Sequence, residues 1–187
     1  EGYLFPATYG YGKDSKMEDL VDQMLAAMDQ NLSAYYDTME AKNIDVNEAL
    51  TLASLIEKEG ATDKDRKDIA SVFYNRLNQD MPLQSNIAIL YAQGQLGKKT
   101  TLKEDATIDT NIDSPYNIYK NTGLMPGPVD SPGLSAIEAA VNPSKTDYLY
   151  FVANVETGEV YFAKTFEEHT KNVEEHVNSK LTESSSN

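Results

Sequence analysis

Glu57 and Glu59 stand two residues apart in the run Ala49-Leu-Thr-Leu-Ala-Ser-Leu-Ile-Glu-Lys-Glu-Gly60. A carboxyl can hand a proton to a leaving oxygen, provided its surroundings keep it protonated near neutral pH. A helix turns about 100° per residue, so Ala49, Leu52, Ala53 and Ile56 form one apolar stripe. Glu59 falls within that stripe, whereas Glu57 lies roughly 160° from Glu59. The spacing therefore points Glu59 toward the interior or a cleft and leans Glu57 toward solvent. Burial disfavours the ion and raises a carboxyl pKa, which makes Glu59 the candidate general acid. The same spacing also fits a stripe that frays into solvent at a helix end.

The other chemistry-bearing groups divide by context. Asp63, Asp65, Arg66 and Asp68 read as a solvated helix start, with acids at its positive end. Asn75-Arg76 closes the following helix, where an arginine matches the dipole. Ser114-Pro-Tyr-Asn-Ile-Tyr119 and Gly123-Leu-Met-Pro-Gly-Pro128 combine aromatics, amides and rigid turns. Flat rings suit pyranose faces and amides suit hydroxyls, so this loop reads as a sugar-binding wall or as a core plug. His169 and His176 lie seven apart, not at the four-residue spacing of helical zinc ligands, and read as helix-surface residues.

Composition narrows the field. The chain has 187 residues, 16 basic against 30 acidic, for a net charge of −14. That length fits one domain, and 40% apolar residues supply a core. The negative charge disfavours nucleic acid and anionic membrane surfaces. Without cysteine there are no disulfides, thiolate metal sites or thiol nucleophiles. With only two histidines a histidine-rich metal site is not expected, and no organic cofactor is implied. No apolar run reaches the roughly 18 residues of a membrane span. Opening at Glu1 rather than methionine, the chain is expected to be a piece of something longer.

The elements that must position Glu59 follow from pattern. Residues 1–14 read as an N-terminal arm, rich in glycine and aromatics as far as Gly12. A helix is expected from Ser15 to about Lys42, with Met17, Leu20, Val21, Met24, Leu25 and Met28 inward and Ser15 as N-cap. A second runs from Asp45 or Asn47 to Glu59, stopped by Gly60. A third runs from Thr62 or Asp63 to about Leu77. Short helices are expected at 87–93 and 134–141, flanking a long loop at 103–133. Tyr148–Val152 and Val160–Phe162 around Glu156-Thr-Gly158 predict a β-hairpin. Thr165 caps a last helix to about Leu181, and 182–187 is expected to be a disordered tail. The expected class is α+β, helix-dominated, with a small antiparallel sheet and a substrate cleft.

Taken in order, several motifs resemble one family. They are Glu1-Gly-Tyr-Leu-Phe-Pro-Ala-Thr-Tyr9, Leu52-Ala-Ser-Leu-Ile-Glu-Lys-Glu59, Val72-Phe-Tyr-Asn-Arg-Leu77 and Pro82-Leu-Gln-Ser85. Tyr116-Asn-Ile-Tyr119, Gly123-Leu-Met-Pro-Gly-Pro128, Asn142-Pro143 and Tyr148-Leu-Tyr-Phe-Val152 continue the set. The chain resembles the catalytic domain of the MltG (YceG-like) endolytic murein transglycosylases, in a Gram-positive form, over residues 1–187. Three positions depart from many relatives: Ala7 and Asn86 replace Asp, and Gly60 replaces Thr or Ser.

The resemblance implies cleavage of peptidoglycan glycan strands between N-acetylmuramic acid and N-acetylglucosamine, leaving 1,6-anhydro ends and ending strand polymerisation. It implies an N-terminal membrane anchor and a LysM-like region outside this chain. The enzyme would then work on the extracytoplasmic face of the cell membrane, with cell-wall synthesis and division proteins as partners. The family's catalytic residue is the second glutamate of the Glu-Lys-Glu pair, here Glu59. Gln84, Tyr116, Asn117 and Tyr119 are the expected substrate wall, with Asn75 and Arg76 beside them. Two other readings are a non-catalytic wall-binding or divisome scaffold, and an aminodeoxychorismate lyase using pyridoxal phosphate on a lysine.

Overall fold

The computed structural model describes residues 1–97, 107–154 and 157–178. Among these the chain is helix-rich with one small sheet, the class expected from the pattern. The tail at 182–187 lies outside the described residues.

The first expected helix is two. α1 spans Met17–Leu32, a 3₁₀ turn covers Ser33–Tyr35, and α2 spans Tyr36–Lys42. At the break Ser33 donates its hydroxyl back to the Gln30 carbonyl at 2.7 Å, a local bond that competes with the helical ladder. Ser15 is not the N-cap; its hydroxyl oxygen accepts from the Gly12 N–H at 2.9 Å, closing the turn before the helix. α2 ends at Asn43 in the left-handed conformation.

α3 (Val46–Glu59) and α4 (Asp63–Leu77) begin where their capping boxes place them. The Asp45 carboxylate accepts from the Glu48 N–H at 2.7 Å, and Glu48 returns the bond to the Asp45 N–H at 3.0 Å. Thr62 and Asp65 repeat the arrangement at the head of α4. Each such cap stabilises its helix by about 1 kcal/mol. α5 spans Asn86–Ala92 and α6 spans Leu134–Val141.

α3 is the centre of the molecule. Every residue from Ala49 to Ile56 is buried, with α6 and α4 as its main neighbours. Its single stripe was thus too narrow a reading, because Leu50 and Leu55 are also fully enclosed. Ser54 in its middle accepts from the Val129 N–H at 3.0 Å and so ties the long loop to the core. Asn117 braces that loop from within, donating to the carbonyls of Thr110 and Ile112 at 3.0 and 2.7 Å. The arm packs on the same loop. Gly2 has φ +82, and a Cβ there would lie 2.3 Å from Pro128 Cβ.

β1 (Tyr150–Ala153) pairs antiparallel with β2 (Val160–Ala163), Phe151 facing Phe162. Alternation divides the side chains. Phe151 and Phe162 pack on the core, Phe151 edge-on to Phe73 at 5.8 Å. Tyr150 and Tyr161 meet the last helical segment instead. That segment is α7 (Phe166–Val173), capped by Thr165, which widens into a π turn over Glu174–Asn178.

Candidate active site

A cleft of about 650 Å³ opens where α3 ends. One side is formed by Lys58–Ala61, Leu83, Gln84 and the first turns of α5; Phe151–Asn154 and α7 form the other. Arg76 and Tyr119 also line it. Among the described lining residues, Glu59 is the one carboxylate.

Glu59 is the last residue of α3 and is half-buried. The buried Ser85 hydroxyl donates to its Oε1 at 2.7 Å. The same hydroxyl oxygen accepts from the Ile87 N–H at 3.2 Å, which makes Ser85 the cap of α5. One side chain therefore ties the last residue of α3 to the first turn of α5. Ser85 belonged to a quoted motif but was given no role; its cap position before Asn86 was the available signal.

Glu57 takes a different place from the one expected. Only 27% of its side chain is exposed. Its Oε2 accepts from the Gly133 N–H at 3.0 Å, at the start of α6, where a negative charge is favoured. Arg66 approaches its other oxygen at 3.4 Å. Glu57 does not lean into solvent because α6 covers it, and single-helix geometry contains no information about that neighbour. Lys58, between the two glutamates, pairs with Asp130 at 2.6 Å.

Arg76 is buried and organises one wall. Its Nε donates to the Leu149 carbonyl at 2.6 Å. Its Nη1 reaches the carbonyls of Pro82 and Leu83 and the Gln84 Oε1 at 2.9 to 3.1 Å. The guanidinium also sits 5.0 Å from the Tyr150 ring centroid, and burial lowers its pKa without a carboxylate partner among the described residues. Gln84 is held at φ +58, a conformation costing a non-glycine residue about 1–2 kcal/mol. Such strain gathers at functional sites.

The expected wall residues scatter. Gln84, Arg76 and Tyr119 reach the cleft; Asn75, Tyr116 and Asn117 do not line it. Asn75 donates to the carbonyls of Thr146 and Tyr148, both at 2.9 Å, beside a separate hollow. The Tyr116 ring lies tilted against the Tyr91 ring, 4.9 Å between centroids. Asn117 is buried with its amide committed to its own loop. Its loop turns inward, so an amide expected to meet hydroxyls meets backbone carbonyls instead. His169 is the converse: expected on the surface, it lines the cleft. Its spacing with Phe166 and Val173 on one helical face was the overlooked signal.

The three departures have simple surroundings. Asn86 accepts the Tyr119 hydroxyl on Oδ1 at 2.7 Å, a bond an aspartate oxygen also accepts. At Gly60 a Cβ would stand 2.7 Å from Arg66 Cγ, so the tight approach of α4 suits glycine. Ala7 is exposed in the arm.

The chain is similar to known proteins. An endolytic murein transglycosylase of Streptococcus pneumoniae serotype 2 (strain D39) is 67% identical over 181 residues, covering 97% of this chain and 33% of that protein. The protein of that name from Bacillus subtilis (strain 168) is 48% identical over 181 residues, covering 96% of this chain and 49% of its own length. The chain therefore spans between a third and a half of these relatives. A crystal structure of a yceG-like protein from Listeria monocytogenes superposes with a TM-score of 0.81 at 50% identity, over 91% of this chain and 54% of that one. The sequence profile of the YceG-like family matches residues 1–175, and the chain belongs to that family.

Proposed function

We propose that this chain is the catalytic region of an endolytic peptidoglycan lytic transglycosylase, with Glu59 as its acid and base. The supporting observation is the single carboxylate among the described lining residues of the cleft. Glycoside hydrolases ordinarily use two, one as acid and one to attack carbon or activate water. An intramolecular transfer needs only one, because the muramic acid C6 hydroxyl is the nucleophile. Glu59 gives its proton to the glycosidic oxygen as the C1–O bond breaks. It then takes the C6 hydroxyl proton as the C6 oxygen bonds to C1. The proton count closes on one residue and no water is consumed. The Asp63 and Asp65 carboxyls serve the head of α4, and neither they nor Asp113 line the cleft.

Gln84 and Tyr119 are the proposed glycan contacts, with Arg76 holding the wall they stand on. In the longer protein this region would work outside the cytoplasmic membrane on nascent strands and end their polymerisation, close to wall-synthesis and division proteins. No helix among the described residues is long and apolar enough to cross a membrane. Digestion of purified glycan strands followed by mass spectrometry tests the reading. Anhydro-muramyl ends from the unchanged protein, and none from Glu59→Gln, are expected. Reducing ends or an intact polymer from the unchanged protein would overturn it.

A further inference from the structure

His169 is a half-buried residue of α7 on the cleft wall. Its ring stacks on Tyr150 at 5.4 Å between centroids and 22° between planes, with Phe166 at 6.2 Å. Those contacts fix the imidazole plane. Its two nitrogens differ in circumstance. Nδ1 is enclosed without a hydrogen-bond partner, and Nε2 does not share that enclosure. The nitrogen left open on a cleft-lining ring is therefore Nε2.

The proton's place follows from the surroundings. Burial, and secondarily the Arg76 charge, lower the pKa of this histidine, so the ring is neutral near pH 7. A neutral imidazole carries one N–H. On Nδ1 that N–H would be buried with no acceptor, a costly arrangement. On Nε2 it lies at the open side of a cleft-lining ring.

We infer that His169 is a substrate-positioning residue, a neutral Nε2–H donor to an uncharged oxygen of the bound saccharide, such as a hydroxyl or an N-acetyl carbonyl. This rests on the glycan-cleaving reading of the cleft. A ring locked by stacking loses little freedom when it donates, which favours binding.

The test uses Glu59→Gln protein, which holds glycan without cutting it, titrated calorimetrically with muramyl oligosaccharides. His169→Phe keeps the stacked area and removes the donor; His169→Gln places an amide N–H near the Nε2 position. The phenylalanine variant should bind roughly tenfold more weakly, the order expected for one lost hydrogen bond, and the glutamine variant should recover most of that. In the protein with His169 intact, ¹⁵N spectra at neutral pH should show the Nε2–H tautomer, shifting when glycan is added. Equal affinity in the phenylalanine variant, no rescue by glutamine, or an Nδ1–H tautomer would overturn the assignment alone. Absence of glycan binding by the Glu59→Gln parent would overturn the reading of the cleft, and this inference with it.

Discussion

The last turn of α3 carries two glutamates in opposite circumstances. On the Glu57 side, the carboxylate holds the head of α6 and meets the Arg66 guanidinium. Lys67 meets Glu138 at 2.7 Å, and the Tyr74 hydroxyl donates to the Ala140 carbonyl at 2.8 Å. On the Glu59 side, the carboxyl accepts from Ser85 and lines a cleft, and Gln84 sits there in a strained conformation. One glutamate braces neighbouring helices, and the other stands on open space beside a strained residue.

The sharpest way to break the comparison is Glu59→Gln. It should lower the cleavage rate by about 10²–10⁴ while thermal melting stays within a degree or two. A large loss of stability would place Glu59 among the braces. Next comes Ser85→Ala, which removes one hydrogen bond to the carboxyl and the α5 cap. A roughly tenfold fall in kcat with little change in KM is expected, with a cap loss of about 1 kcal/mol. Unchanged kcat would show that the hydroxyl only caps the helix.

Glu57→Ala should reverse the pattern. Losing the Gly133 contact and the Arg66 partner should cost about 1–2 kcal/mol in denaturant titrations, with activity at permissive temperature within a few-fold. A dead but stable protein would mean that the two glutamates had been assigned the wrong way round. The last effect leaves activity aside and needs alkali. Burial, helped by Glu48, pushes the Tyr74 pKa up to about 12. The unfolded chain gives up this proton near pH 10, before the folded one does, so this contribution is complete below pH 10 and is lost as pH rises toward 12. It amounts to about 2 kcal/mol after allowing for solvent contact. Tyr74→Phe should flatten the stability profile in that window.

The legible parts of the molecule were those with a local cause. α3 and α4 were readable because Asp45 with Glu48, and Thr62 with Asp65, announce their starts. The hairpin was readable from its aromatic strands, and Glu59 from its family motif and its place at a helix end. What escaped depended on neighbours distant in sequence. Glu57 is half-buried because α6 arrives from residue 134, His169 faces the cleft because α7 folds over the hairpin, and Asn117 turns inward because its loop supplies two carbonyls. The break at Ser33–Tyr35 was hidden because apolar spacing continues through it.

The Arg76 guanidinium has a consequence for mutational tolerance. It serves three carbonyls and an amide oxygen from two chain segments, through a planar fork that lysine cannot imitate. In a library of random variants sorted first for protease resistance and then for activity, replacements at position 76, lysine included, should vanish at the first sort. Replacements at Glu59 should pass it and vanish at the second. The surviving sequences would thus separate residues that build the cleft from the residue proposed to use it.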